Sequence, residues 1–530
     1  MPPLNLMGSR RASGLFFNMN RQFALGIAAL TLASCAGLPD TSGRVQSFAR
    51  KDTGNTRVAH MARQFTTGHP GQTGVHALAK GPDALAARLA LADLADKSLD
   101  VQYYIWHSDE SGVLFVTKLL KAADRGVKVR LLLDDIGTMA SDEGLQVLDN
   151  HPNIEVRLFN PVTLRSARML GALLDFKRAN RRMHNKTFIA DNQAAIVGGR
   201  NIGDEYFGAH GDVNFADLDV VTVGPVVQDV SRQFDAYWNS PSSIGISALS
   251  QKHETPEQLA LRRSAFEAKL TQAQASPTLA AAIENPLSAK LRNGNLAFLP
   301  ARAWAVYDAP EKVTTAANDR ATHLAPQLRS IVDDTQKVLF VVSPYFIPEK
   351  QGVDLFSNLR ARGVRVVVLT NSLASTDVAA VHAGYKRYRK PLLRAGVEVY
   401  ELKPVAGTGG GSGGSSPFGS SNKASLHAKT FTFDEHTTFI GSMNLDPRSL
   451  RLNTEIGVII ACPELASELT RKSLQGLERH AYRVQLEGGK LVWIATEDGH
   501  EVRYTTEPAT TAWQRMKVNL LGCLPLEGQL

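Results

Sequence analysis

Two copies of one residue pattern hold the side chains most suited to chemistry. His184, Lys186, Asp191, Gly198 and Asn201 form the first, and His427, Lys429, Asp434, Gly441 and Asn444 the second. In both, the lysine stands two residues after the histidine, the aspartate seven, and the asparagine 17. Two complete matches in one chain point to a single site built from two halves. Duplicated imidazole, ammonium and amide groups suit a phosphodiester. The lysines neutralise its oxygens, and Asn201 and Asn444 can donate hydrogen bonds to the phosphate. A neutral histidine can attack phosphorus to give a covalent intermediate. The other, protonated, can donate to the leaving alcohol and then deprotonate the acceptor. One histidine cannot do both in the same step, which gives the duplication a chemical reason.

The run around each motif reads as a strand, Lys186 to Ala190 and Lys429 to Phe433. Residues two apart share a strand face, so each His/Lys pair projects together. Asp191 and Asp434 belong to the catalytic motif, yet alternation places them on the opposite face, where holding a turn is the expected role. Each histidine also needs a carboxylate to orient its other nitrogen. Glu455 and Asp219 are the candidates, the longer spacing to Asp219 fitting an insertion around Gly208–Asn214.

The elements that must position these groups repeat as well. Arg125 to Leu133 parallels Arg362 to Leu369, each reading as a helix ending at glycine before a buried strand. Val101–Trp106 parallels Phe340–Phe346, and Ile154–Leu158 parallels Val397–Leu402. Helical segments such as Asp83–Ala95 and Leu114–Arg125 alternate with them. The rhythm predicts an α/β fold with largely parallel or mixed sheets. Half one spans 76–245, a helical connector 246–289, half two 290–485, and a hairpin with an amphipathic tail 486–530. The run 407–421 is Gly/Ser-rich and reads as a surface loop or a lid over the site.

A net charge of +8 and a pI near 9.3 favour an anionic partner, either nucleic acid or an anionic lipid surface. The three cysteines, Cys35, Cys462 and Cys523, show neither a zinc spacing nor a disulfide framework. Residues 1–35 carry Arg10, Arg11 and Arg21, then an apolar stretch from Phe23 to Leu32 that is short for a membrane span. Leu32-Ala33-Ser34-Cys35 is similar to a bacterial lipobox, which implies cleavage before Cys35, its lipidation, and a tether over 36–75. The implied location is the cell envelope, facing the periplasm, with the outer membrane favoured by Ala36.

At its doubled motif the chain resembles the phospholipase D superfamily. Its bacterial type C cardiolipin synthase branch is suggested by Gly198–Phe207, Phe215–Val220, His382–Arg389 and Tyr504–Pro508. The resemblance implies two similar α/β lobes with mixed sheets facing across a shared cleft, and phosphatidyl transfer between phospholipids at a membrane surface, without metal, nucleotide or other cofactor, and with no nucleic-acid partner. It also implies His184 as the nucleophile. A phospholipase D hydrolase releasing phosphatidic acid, or a secreted phosphodiesterase or nuclease, are the alternatives. Lys177, Arg178, Arg181 and Arg182 could meet a headgroup phosphate or form a solvated turn. The stretch Tyr385–Lys390 reads as an exposed helix face, and Thr511–Leu526 as a tail that packs on the core or lies in a membrane interface.

Overall fold

The structure, a computed structural model, describes residues 38–138, 140–209, 214–249, 256–404, 424–525 and 527–529. The expected signal segment with Cys35, and the Gly/Ser run 407–421, lie outside the described residues.

The apolar runs fold as inner strands. Ser98–Tyr103, Lys128–Asp134 and Ile154–Phe159 pair in parallel, as do Val338–Val342, Arg365–Asn371 and Glu398–Leu402. Parallel neighbours require crossover helices that cover the faces, which explains unbroken apolar runs such as Val366 to Leu369. Helix Glu110–Asp124 starts where the Asp109 carboxylate accepts from the Gly112 N–H. It runs out at Gly126 (φ 93°), and its counterpart Glu349–Ala361 runs out at Gly363 (φ 86°). That left-handed exit favours glycine at both positions.

The motif strands Thr187–Ala190 and Lys429–Phe433 lie antiparallel beside Ser98–Tyr103 and Val338–Val342. Each turns into a second strand, Ala194–Gly198 or Thr437–Gly441, which pairs with a third, Asp219–Val223 or Ile456–Ala461. The registers correspond: Gly198 lies opposite Asp219, and Gly441 opposite Gly457. This explains the motif glycines. A Cβ on Gly198 would sit 2.1 Å from Asp219 Oδ1, and one on Gly441 2.3 Å from the Ile456 carbonyl.

The lobes join edge to edge. Thr73–Leu78 pairs antiparallel with Asp219–Val223 and with Leu299–Tyr307, which in turn pairs with Ile456–Ala461. One 18-stranded mixed sheet therefore passes through both lobes. A separate parallel pair, Asn214–Ala216 with Ala424–Leu426, crosses between them. The core follows the same plan: one cluster in each lobe, and a third shared by Val75, Leu132 and Val220 with Phe340, Val342 and Leu369.

Between the lobes the chain forms helices Pro256–Gln274, Pro277–Glu284 and Pro286–Arg292. After them lobe two gains an antiparallel meander, Ala481–Glu487, Lys490–Glu497 and His500–Tyr504. Helix Ala512–Gly522 then packs on helix Ala379–Lys386. No helix among the described residues is long and apolar enough to cross a membrane.

Gly441→Ala must push strand Thr437–Gly441 away from Ile456–Ala461. A loss of about 1–3 kcal/mol is expected from such overpacking, read from the urea midpoint.

Candidate active site

Each histidine is held from the opposite lobe. The His184 backbone N–H donates to the Thr454 carbonyl (2.9 Å), and Thr454 N–H donates back to the Arg182 carbonyl (2.9 Å). The His427 and Ala428 N–H groups both donate to the Ala216 carbonyl, at 2.8 and 3.0 Å. These bridges set the carboxylates that follow them. His184 Nδ1 lies 2.8 Å from Glu455 Oε2, and His427 Nδ1 lies 2.6 Å from Asp217 Oδ2. All four side chains are buried. With Nδ1 engaged, Nε2 is the ring atom left for chemistry.

Lys186 and Lys429 are buried beside the histidines, each ammonium donating to the carbonyl of its own motif histidine, the Lys186 bond being 2.6 Å. Burial pushes Lys186 well below the ordinary lysine value, with Glu455 opposing and Lys429 adding to the fall. Burial likewise pushes Lys429 down to about 8, against the pull of Asp217 and Glu455. Aromatic rings wall the pair: Tyr104 meets the His184 ring edge-on at 5.0 Å, while Tyr206 and Phe215 stand 5.3 and 5.0 Å from His427.

The halves differ behind the histidines. Glu455 accepts from Ser442 Oγ (2.5 Å) and Ser449 Oγ (2.8 Å) as well as from His184. Its backbone exchanges hydrogen bonds with Asp308, whose carboxylate holds Lys312 at 3.0 Å. Desolvation dominates there, raising Glu455 to about 7 despite the pull of Lys186. Asp217 instead abuts Gly199, where a Cβ would lie 2.2 Å from its Oδ1. Burial works to raise Asp217, but His427, Lys429 and Arg200 together hold it below the usual carboxylate range. His184 falls well below the ordinary histidine value through burial and then the charges of Lys186 and Lys429. His427 falls through burial and Lys429, with Asp217 opposing.

Other expected site residues have different surroundings. Asp219 does not orient a histidine: it pairs with Arg88 (2.9 Å) and Arg200 (3.3 Å) in the lobe-one core. The strand registers give the reason. Asp219 corresponds to Gly457, so the counterpart of Glu455 is Asp217, two residues earlier; the insertion before Phe215 hides this offset in the sequence. Asp191 and Asp434 occupy turns, at φ 51° and 53°. Asp191 accepts from the N–H groups of Asp96, Lys97 and Ser98, and Asp434 from those of Gln336, Lys337 and Val338. They fasten the motif hairpin to the neighbouring strand and do not reach the histidines' reacting face, which corrects their place in the catalytic set.

Asn201 is committed to the protein, its Oδ1 accepting from Ile105 N–H (3.1 Å) and its Nδ2 donating to Tyr206 Oη (2.9 Å). That bond uses one of its two Nδ2 hydrogens, which leaves the other for the expected donation to phosphate. Asn444 differs: its Oδ1 is buried without a hydrogen-bond partner among the described residues.

The basic cluster before His184 is mostly internal. Arg182 grips Asp134 at 2.9 Å, Arg181 donates to the Lys312 carbonyl, and Arg178 bonds Asp175 and Asn160. Tyr385 and Arg389 are also buried, both on Glu401, so that stretch is not an exposed face. Among the described residues, His107, Asp109 and Glu205 bring possible metal ligands within 4.8 Å of one another. Asp109 is already spent there on the N–H groups of Gly112 and Asp204, so the group reads as an ion-paired clamp.

Residues 89–238 and 328–475 match the family described as cardiolipin synthase, phospholipase D-like domain. The chain belongs to that family. It is 43% identical over 482 residues to cardiolipin synthase C of Escherichia coli (strain K12), covering 89% of this chain and 99% of that relative. A cardiolipin synthase of Clostridium perfringens (strain SM101 / Type A) is 24% identical over 389 residues, 72% of this chain and 66% of the relative. The crystal structure of phosphatidylserine synthase from Haemophilus influenzae Rd KW20 shares the fold, with a TM-score of 0.53 at 14% identity, over 81% of this chain and 92% of that one.

Asp217→Asn and Asp219→Asn separate the two carboxylates. The first is expected to lower turnover about 10²–10⁴-fold with little change in Tm, since it removes the partner of an acid–base histidine. The second strands two buried guanidinium groups and is expected to cost about 3–5 kcal/mol in a urea melt.

Proposed function

We propose that the protein is a phosphatidyltransferase that makes cardiolipin from phospholipids through a phosphohistidine intermediate. The observation that carries this reading is the pair of reciprocally held histidines around two buried ammonium groups. The similarity to cardiolipin synthase C of Escherichia coli supports the substrate class.

The difference between the halves supports a division of roles. His184 stays neutral beside its two lysines, and Nδ1–H donation to Glu455 leaves the Nε2 lone pair for attack. Nε2 bonds to phosphorus as the bond from phosphorus to the leaving alcohol breaks. His427 is depressed less than His184 because anionic Asp217 opposes the fall, so His427 is the imidazole that takes up a proton and gives it from Nε2 to that alcohol. The acceptor hydroxyl then loses its proton to His427, and its oxygen replaces His184 on phosphorus. Lys186 and Lys429 balance the phosphoryl charge, and the Nδ2 groups of Asn201 and Asn444 can add hydrogen bonds to its oxygens. The aromatic walls limit water, which favours a lipid acceptor over hydrolysis. The inward pairing of Arg182 and Arg389 argues against a nucleic-acid track. Cys35 as a lipid-bearing residue would place the enzyme on the cell envelope, facing the periplasm, with the outer membrane the favoured site.

Lipid products from mixed phosphatidylglycerol and phosphatidylethanolamine vesicles test the reading by mass spectrometry. Cardiolipin should form, and should vanish with His184→Ala and with His427→Ala. Phosphatidic acid alone would make the enzyme a hydrolase, and no lipid product would overturn the lipid assignment. Quenched at alkaline pH during turnover, where N–P bonds survive, the parent protein should carry a phosphatidyl group on His184, and the His184→Ala protein none.

The rate should follow a bell in pH. Below about 7 Glu455 takes up a proton and His184 loses its acceptor, and above about 8 Lys429 loses its charge, so activity falls on both sides. Lys429→Arg, which keeps its charge, should carry the alkaline limb above about pH 9. An unmoved limb would remove Lys429 from that role.

A further inference from the structure

Solvent-facing apolar side chains concentrate on two segments. Met169, Leu170, Leu173, Leu174 and Phe176, on the short helices Arg168–Leu174 and Phe176–Ala179, are 43–85% exposed. Trp513, Met516 and Leu520 on helix Ala512–Gly522, with Leu524 just after it, are 45–69% exposed. Spacings of three and four put Trp513, Met516 and Leu520 on one stripe of that helix. Val518 is turned away from this stripe, buried against Leu373 and Ala383. The helix thus packs by its lesser apolar side and offers the larger one to solvent, the reverse of a helix recruited only to a core.

The two segments meet at one rim. Beyond the helix, Glu527 bonds Arg387 (2.6 Å) and Tyr388, and Gln529 bonds Asn180 (2.5 Å) and Arg448 (3.0 Å). The chain's last described residues therefore cross from lobe two to lobe one. They land on the residue that follows Phe176–Ala179 and lies four before His184. Charge on the rim is one-sided. Lys177 and Lys517 are exposed and without an ion pair among the described residues, while the nearby carboxylates Asp175 and Glu527 are neutralised by Arg178 and Arg387.

We infer that these two segments form a docking face for an anionic phospholipid bilayer, with Trp513, Met516, Leu520, Met169 and Leu173 entering the interface and Lys177 and Lys517 meeting headgroup phosphates. Separate apolar points on both lobes, with unpaired cations beside them, suit a plane of lipid. The inference deepens the phosphatidyl-transfer reading by naming where the bilayer meets the cleft, although docking itself requires no catalysis.

The test uses the chain from Leu38 onward, which holds every described element and core residue and lacks the apolar leader and Cys35. It is sedimented with vesicles of phosphatidylglycerol and phosphatidylethanolamine. The triple change Trp513→Gln, Met516→Gln, Leu520→Gln and, separately, the double change Met169→Gln, Leu173→Gln should each weaken vesicle binding about tenfold or more. Added salt should weaken the parent further. Tm and transfer from a monomeric short-chain phosphatidylglycerol should stay unchanged, which separates lost docking from a damaged fold or site. Variants that sediment like the parent overturn the inference. So does a parent dimer that the variants turn into monomers, since a second copy would then be the occupant. A parent that binds vesicles but transfers nothing from the short-chain lipid overturns the functional reading and leaves the docking face standing.

Discussion

The hydrogen bond from each histidine to a carboxylate of the other lobe is the constraint that organises this molecule. A buried imidazole with an unpartnered Nδ1–H is costly, and so is a buried carboxylate without a donor. Neither lobe can meet both demands alone. His184 finds its acceptor 271 residues away at Glu455, and His427 finds its own 210 residues away at Asp217. The backbone bridges at Thr454 and Ala216, the edge pairing of Thr73–Leu78 with Leu299–Tyr307, and the shared core all hold that exchange in register. The aspartates at the motif turns serve the same end by tying each motif hairpin to its sheet.

Within this near-symmetry the two half-sites are chemically unequal. Glu455 sits among two hydroxyls and the Asp308–Lys312 pair, whereas Asp217 lies against a glycine and keeps its charge. A duplicated pattern therefore supports divided labour. Two reciprocal roles in one displacement need one imidazole without a proton on Nε2 and one with it, and the surroundings of the carboxylates supply that difference.

Much of the site was legible because strands and turns impose fixed spacings. The doubled motif exposed both histidines, both lysines and the two-lobed α/β plan, and Glu455 followed from its place on the next strand. The limit was reached where the structure depends on pairing across the chain. The sequence points to Asp219 and not to Asp217 because an insertion precedes both, and two residues along a strand preserve the face. Only the register of Gly198 with Asp219 distinguishes them. The arginines before His184 looked like a phosphate patch because charge in a sequence carries no direction. Arg182 points inward because Asp134 ends a strand from an earlier part of the lobe. Asn201 shows the same limit: its spacing names it, but gives no sign that Tyr206 and Ile105 also engage its amide.

The exchange of carboxylates also bears on how the protein is made. The first lobe leaves the ribosome with His184 in place but with nothing to receive its Nδ1 proton, and with Asp217 facing no imidazole. The nascent half holds neither imidazole–carboxylate pair. Both pairs need the second motif, carried in by the lobe whose strand Leu299–Tyr307 pairs with Thr73–Leu78, so a chain cut short in synthesis holds no complete half of the site.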